Sequence, residues 1–148
     1  MKSIRLVLCL VALFPVSSCS FDRSNDVVIE NKEVEVERSY SEVKNYELLW
    51  DSMFDVESNN YYVYIYSITC SHCAEIKNYM IETAIERGDI YFLKATSKDQ
   101  LTNDPKKAIN AENPGDIWIL GYPSLLLISN KKCVKNLAGN TQIKTELK

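Results

Sequence analysis

The pattern of apolar and polar positions changes abruptly in the middle of the chain. Residues 61–67 are apolar or aromatic at nearly every position, as in a central strand that is covered on both faces. Residues 74–87 then carry apolar side chains at helical spacing, and Gly88 follows as a natural helix end. The pattern predicts a strand, a short turn and an amphipathic helix in direct succession.

Later segments complete the predicted domain. Residues 90–95 predict a strand that follows the helix and should therefore run parallel to the first strand, through a right-handed crossover. Residues 124–128 and 132–137 flank a polar turn and predict an antiparallel hairpin. Residues 141–148 are long enough for about two turns of helix. This order of elements is typical of an α/β domain.

Two further helices are predicted, one before the central strand and one between residues 95 and 117. Residues 39–42 have the form of a capping box. Asp104 as N-cap and Pro105 at the first helical position predict a second, short helix, which the turn at 113–115 ends. The apolar residues after the capping box would share one face of a single helix and pack in the core: Val43, Tyr46, Trp50, Met53 and Phe54.

Three segments have weaker patterns. Residues 33–37 alternate with period two and form either a short strand or part of a tether. Residues 96–103 are polar and predict a loop. Residues 117–120 fit either a strand or a loop.

The N-terminus has the layout of a secretory signal. Lys2 and Arg5 precede an apolar run over residues 6–16, which is shorter than the roughly 20 residues that span a membrane. Residues 16–19, Val-Ser-Ser-Cys, resemble a bacterial lipobox, which would make Cys19 the lipidated first residue of the mature chain. The alternative is an ordinary cleaved signal that leaves Cys19 as a free thiol.

These features divide the chain into a lipoprotein signal peptide (1–18), a tether (19–38) and a folded domain (39–148). The domain would then be anchored to the membrane through lipid on Cys19, on the extracytoplasmic face of the cell membrane. Loss of residues 1–18 removes Lys2 and Arg5 and no acidic residue, so the mature chain is more acidic than the net charge of −3 of all 148 residues. That charge argues against a nucleic-acid partner.

Of the five cysteines, three remain in the predicted domain. Cys9 leaves with the signal and Cys19 would carry lipid, so Cys70, Cys73 and Cys133 are left. Export favours the oxidised state of a close pair. Cys133, in the predicted hairpin, is expected to be a buried small apolar residue, with a third redox thiol as the alternative.

Cys70-Ser71-His72-Cys73 lies where the predicted helix begins. Unpaired N–H groups and the positive end of the helix dipole stabilise an anion there, which favours a thiolate at Cys70. Cys70 is therefore the expected nucleophile, and Cys73, one turn further in, the resolving thiol. An imidazolium at His72 would also favour the Cys70 thiolate and make the disulfide more oxidising. The alternative is a solvent-facing His72 without influence.

A zinc site is the competing use of these side chains. Together with Cys133 the segment offers enough ligands on paper, but adjacent His72 and Cys73 cannot easily both face a metal bound by Cys70. We therefore expect no metal and no organic cofactor.

The order strand, CxxC, helix, strand, helix, Gly121-Tyr122-Pro123-Ser124 and hairpin resembles the thioredoxin family over residues 39–148. The resemblance implies a thioredoxin-like fold, with a central mixed β-sheet flanked by helices. Cys70 and Cys73 match the family's active-site pair, Pro123 its cis-proline and Gly139 the glycine after the last strand. The backbone of Tyr122 beside a cis Pro123 would pair with an extended substrate, whereas a trans proline starting an edge strand is the alternative.

The chain also departs from the family. Thr69 stands where thioredoxins have Trp, Ser71-His72 replaces Gly-Pro, and Tyr64 replaces a buried acid six residues before the first cysteine. The lysine of the following strand is retained as Lys94. No base is therefore assigned to deprotonate Cys73.

Two functions fit these observations. In the first, the protein is a membrane-anchored thiol–disulfide oxidoreductase that exchanges disulfides with cysteines of client proteins and needs a redox recycling partner. His72 and the missing acid favour oxidase or isomerase activity over reductase activity. In the second, a redox-inactive accessory module binds a peptide or client in a groove at Tyr122 and Pro123, and the Cys70–Cys73 disulfide is structural.

Replacing Cys19 with Ala tests the lipobox. C19A removes the cysteine that a lipobox requires. The variant should therefore accumulate as an uncleaved precursor without lipid. Gel mobility and mass spectrometry, compared with the wild-type chain, measure both properties. Normal processing of the variant would refute the lipobox.

Overall fold

The computed structural model describes residues 36–148, so the predicted signal peptide, Cys19 and most of the predicted tether lie outside the described residues. Between residues 36 and 148 the chain forms six strands and two α-helices. In chain order they are β1 (Asn60–Tyr66), α1 (Ser71–Arg87), β2 (Ile90–Lys94), β3 (Gln100–Leu101), β4 (Trp118–Ile119), β5 (Ser124–Ser129), β6 (Lys132–Ala138) and α2 (Asn140–Glu146).

The central sheet has the order β2-β1-β5-β6. The predicted parallel pair is confirmed, because β2 lies parallel to β1, and β5 pairs antiparallel with both β1 and β6. The predicted hairpin is also confirmed. Asn130 and Lys131 connect its strands with φ values of 50° and 62°, the pair of left-handed residues that defines a type I′ turn.

The tyrosine-rich strand β1 separates two cores. Its even positions Tyr64 and Tyr66 pack with α1, which buries Cys73, Ile76, Met80, Ile81 and Ala84 on this face. Its odd positions pack on the opposite face with Trp50, Met53 and Phe54: Tyr61, Val63 and Ile65. The expected double coverage of the central strand is therefore present.

Helix α1 has the ends that the sequence predicts. Gly88 terminates it in the left-handed region, with φ 73°, and donates its N–H to the Ala84 carbonyl at 2.8 Å. This conformation carries no Cβ penalty at glycine. Ile81 is fully buried, but Ile85, which the apolar pattern includes, is 47% exposed. The buried stripe is therefore narrower than the pattern predicts.

The single helix predicted after the capping box is wrong, although the box itself forms between Ser39 and Glu42. The chain makes two short 3₁₀-helices, Tyr40–Tyr46 and Trp50–Ser52. Between them the backbone extends along the free edge of β2, where Leu48 donates to the Phe92 carbonyl at 2.8 Å. This bridge satisfies edge groups that a continuous helix would leave unpaired.

The break sends the apolar side chains of this segment to different places. Val43 packs under α1, and Trp50 packs on the opposite face of the sheet. Val43, Trp50, Met53 and Phe54 are all buried, as predicted, whereas Tyr46 is half-buried.

The helix predicted from Asp104 is also wrong. Residues 105–110 form successive turns, because the backbone at residues 110 and 111 bonds to β6. The Asn110 N–H reaches the Cys133 carbonyl at 2.8 Å, and the Cys133 N–H reaches the Ala111 carbonyl at 2.9 Å. The predicted polar loop contains β3, which pairs parallel with β4 and so makes the ambiguous segment 117–120 partly a strand.

Residues 36 and 37 belong to no strand, and the rest of the alternating segment 33–37 lies outside the described residues. Glu37 forms an ion pair with Lys77 of α1 at 2.9 Å, and the Arg38 N–H donates to Asn78 Oδ1 at 3.0 Å. Within residues 36–148 no helix is both long enough and apolar enough to cross a membrane.

Two alanine substitutions on α1 test the packing of this helix. I81A should lower the free energy of unfolding by about 2–5 kcal/mol, because it leaves a cavity in the core under the helix. I85A, one turn later and exposed, should change it by less than about 0.5 kcal/mol. Urea unfolding measures both values, provided that the dependence of the unfolding free energy on urea concentration is the same in the variants and the wild type. Equal losses in the two variants would contradict the orientation of α1.

Candidate active site

A sulfur atom caps the first turn of α1. Cys70 is the N-cap residue, and its Sγ accepts the Cys73 N–H at 3.3 Å. The turn from β1 is held by Ser67, whose carbonyl accepts the Cys70 N–H at 3.3 Å and whose hydroxyl lies 3.0 Å from the Thr69 hydroxyl. An N-cap side chain normally satisfies a free N–H of the first turn, and here a thiol performs that role.

The two cysteines of this turn differ in access. Cys70 is half-buried, whereas Cys73 is 1% exposed and packs in the core between α1 and the sheet. Burial, followed by the neighbouring Cys70, raises the pKa of Cys73 to about 12. The outer sulfur is therefore open to a reaction partner, and the inner one is kept as a thiol at neutral pH.

The loop before β5 faces the outer sulfur. The Tyr122–Pro123 peptide bond is cis, as the resemblance implies. Cys70 Sγ lies 3.5 Å from the Tyr122 carbonyl oxygen. Gly121 has φ 139°, a value that favours glycine, and its carbonyl accepts the Ser124 hydroxyl at 2.6 Å. The structure thus brings Cys70, Cys73, Tyr122 and Pro123 together.

The register of the sheet explains this meeting. Ser124, which follows Pro123, lies opposite Ile65 near the end of β1. The CxxC turn leaves β1 a few residues later. The antiparallel pairing of β1 with β5 therefore delivers the proline loop to the cysteines.

Asp99 is a residue of this site that sequence reasoning missed. It accepts a hydrogen bond from the Tyr122 hydroxyl and is itself bound by the Thr96 hydroxyl at 2.9 Å. Burial, together with Asp99, raises the pKa of Tyr122. Asp99 lies in a polar loop without a motif, so no sequence signal distinguishes it from the surrounding polar residues.

His72 points into solvent, with its side chain 68% exposed. Its Nδ1 lies 3.3 Å from Glu75 Oε2, which also accepts the Asn140 side-chain amide of α2 at 2.9 Å. The structure therefore places His72 on the first turn of α1 but gives it Glu75 as its hydrogen-bond partner. Any influence on Cys70 would act through charge.

Cys133 is distant from the other two thiols in the fold. It is fully buried among the residues on the face of the sheet opposite α1, and its Sγ donates to the Lys135 carbonyl at 3.3 Å. Burial raises the pKa of Cys133 to about 12. The described residues 36–148 contain no group of three or more His, Cys, Asp or Glu side chains that could hold a metal ion.

Comparisons with known proteins give structural matches at low sequence identity. No protein-family model matches the chain, and no curated protein is similar to it in sequence. Thioredoxin f2 of Chlamydomonas reinhardtii has 18% identity over 68% of this chain and 90% of that chain, with a TM-score of 0.44. The long form of thioredoxin f from spinach chloroplast has 17% identity over 68% and 78%, with a TM-score of 0.44.

Mitochondrial thioredoxin 3 of Saccharomyces cerevisiae, in its oxidised form, has 13% identity over 72% of this chain and 96% of that chain, with a TM-score of 0.47. The described domain has a thioredoxin-like α/β fold. Its features are the mixed sheet β2-β1-β5-β6 flanked by helices, the CxxC pair at the start of α1 and the cis-proline before β5.

Alkylation of the reduced protein tests the difference between the cysteines. At neutral pH a small alkylating reagent should modify Cys70 first, because Cys73 and Cys133 are buried and their raised pKa keeps them as thiols. Mass spectrometry of the peptides measures each site, and a denatured sample, in which all three react, is the control. Modification of Cys73 as fast as Cys70 would contradict this arrangement.

Proposed function

We propose that the protein is an exported, lipid-anchored thiol–disulfide oxidoreductase. The observation that supports it best is the position of Cys70 Sγ. This atom caps α1 and lies 3.5 Å from the Tyr122 carbonyl oxygen, and the second cysteine, Cys73, is buried in the same turn. A thiol at a helix start is stabilised in its reactive, ionised form by free N–H groups and the dipole. A second thiol within the same turn can then release any partner bound to the first.

The exchange runs through a mixed disulfide at Cys70. In the oxidising direction, a client thiolate attacks Cys70 Sγ of the Cys70–Cys73 disulfide, and Cys73 leaves and takes up a proton. A second client thiolate then attacks the client sulfur of the mixed disulfide and releases Cys70. The client gains one disulfide and loses two electrons and two protons, which reduce the pair to two thiols. A redox partner that accepts these electrons must then reoxidise the pair.

The client would bind as an extended chain beside Tyr122 and Pro123. A groove of about 210 Å³ that Cys70 also lines opens between the end of β1 and α1, and its wall includes Tyr40, Ile68 and Lys77. Ile68 is 69% exposed, an apolar contact for a client segment that brings its cysteine to Cys70.

Charge on the first turn favours oxidation or isomerisation over reduction. An imidazolium at His72 would stabilise the reduced form with a Cys70 thiolate, and a stabilised reduced form makes the disulfide a stronger oxidant. The ring of His72 contacts the next turn of the helix, where Glu75 Oε2 lies 3.3 Å from His72 Nδ1.

The location follows from the N-terminal sequence pattern. Lipid on Cys19 would attach residues 19–38 to the membrane, and the domain would act on the extracytoplasmic face, where client cysteines are oxidised. The acidic net charge of the chain supports protein clients and no nucleic acid.

Trapping of mixed disulfides tests this function. C73A should accumulate client adducts, because the thiol that resolves them is missing, whereas C70A should form none and lose all exchange activity. Non-reducing electrophoresis of membrane extracts measures the adducts, and C133A is the matched control that should behave like wild type. Absence of adducts from C73A would indicate the redox-inactive binding module instead.

A further inference from the structure

Tyr64 carries a polar group that the fold does not satisfy. The side chain is fully buried in the middle of β1, and its hydroxyl has no hydrogen-bond partner in residues 36–148. Tyr61 is equally buried on the other face of the same strand, but its hydroxyl donates to the Met53 carbonyl at 2.7 Å. A buried hydroxyl without a partner costs folding free energy, so its presence requires an explanation.

The Tyr64 side chain lies in the same buried cluster as Cys73. Rings surround it on two sides, with centroids at 5.5 Å for Phe92 and 6.0 Å for Tyr66. Burial raises the pKa of Tyr64, with smaller contributions from Tyr40 and from the charge of an ionised Cys73. The phenol therefore keeps its proton at neutral pH and can act as a hydrogen-bond donor.

Tyr40 connects this cluster to the surface. Its ring stacks on Tyr66 at 4.0 Å between centroids, and it lines the 210 Å³ groove together with Cys70. Burial raises the pKa of Tyr40, and the phenol of Tyr64 lowers it. Tyr40 therefore lies between the groove and the buried cluster that contains Tyr64 and Cys73.

We propose that the Tyr64 hydroxyl donates a hydrogen bond to the Cys73 sulfur while that sulfur is ionised. The Tyr40 hydroxyl would then extend the hydrogen bonding from Tyr64 to the groove. The inference rests on the proposed function, because Cys73 must ionise to resolve a mixed disulfide. The Ser67 backbone lowers the pKa of Cys73, but burial outweighs it. A thiolate in this apolar site therefore benefits from a further donor, and hydrogen bonds to charged groups strengthen at low dielectric.

The resolving step is balanced without an added reactant. Cys73 loses its proton and attacks Cys70 Sγ, the Cys70–Cys73 bond forms, and the bond from Cys70 to the client sulfur breaks. The client sulfur leaves with the electron pair and takes up one proton. The net proton transfer is therefore from the Cys73 thiol to the client thiol. Tyr64 retains its own proton throughout.

The test separates the two steps of the reaction. Reduced protein is mixed with an aromatic disulfide whose released thiolate is coloured. Attack by Cys70 releases the first thiolate, and attack by Cys73 on the mixed disulfide releases the second. C73A should show the first phase alone and C70A neither phase, which assigns the signals.

Tyr64→Phe should slow the second phase about tenfold and leave the first phase unchanged, because it removes one hydrogen bond to an anion. Tyr40→Phe, which changes a half-buried residue, should slow the second phase about threefold. Tyr61→Phe is the matched control, on the same strand but the opposite face, and should alter neither phase. Thermal unfolding should show Tyr64→Phe at least as stable as wild type, since the lost hydroxyl has no partner.

The outcomes distinguish this inference from the proposed function. No first phase in the wild-type protein would reject the oxidoreductase itself. Two normal phases in the wild type, with a second phase unchanged in both Tyr64→Phe and Tyr40→Phe, would overturn the role of the tyrosines alone. Equal slowing by Tyr61→Phe would overturn it as well, because the effect would then follow stability and not position.

Discussion

The site depends on one sulfur atom that is both a helix cap and the proposed reactive group. Cys70 Sγ accepts the first-turn N–H of Cys73 and reaches the carbonyl of Tyr122. Most helices use an oxygen of Ser, Thr, Asp or Asn for this purpose. With sulfur in that place, the group that caps the start of α1 is also the one accessible to a partner. The geometry of α1, the turn after β1 and the loop before β5 therefore converge on the same atom.

The central strand supports this convergence through its two different faces. Toward α1, β1 presents tyrosines, which pack under the CxxC turn and bring hydroxyl groups into an otherwise apolar layer. Toward the other face it presents Tyr61, Val63 and Ile65, which pack against the segment around Trp50. Both faces therefore supply packing, and the face toward α1 also surrounds Cys73.

Much of this arrangement could be predicted from local signals. Gly88 ends α1 because its backbone is left-handed, and the hairpin of β5 and β6 follows from two strand-forming segments around a short polar turn. The position of Pro123 beside the cysteines followed from the resemblance and is found in the structure. These features depend on residues that lie close together in sequence or on a motif, and both kinds of signal are visible in a chain read alone.

The features that were missed depend on contacts between distant segments. The helix expected after Ser39 breaks because Leu48 bonds to the edge of β2, and the one expected at Asp104 gives way to turns because Asn110 bonds to β6. The contact of Asp99 with Tyr122 joins residues 23 positions apart. Helix propensity and amphipathic spacing contain no information about a partner strand, so these outcomes require the assembled sheet.

The placement of Cys133 has a consequence for the integrity of the chain in the proposed redox cycle. A protein that makes and breaks disulfides risks linking its own cysteines wrongly. Here the central sheet stands between Cys133 and the pair on α1, since the two groups belong to cores on opposite faces. A wrong internal crosslink would first require the sheet to open. Within the described residues the sheet would therefore keep Cys133 apart from Cys70 and Cys73 during the proposed exchange.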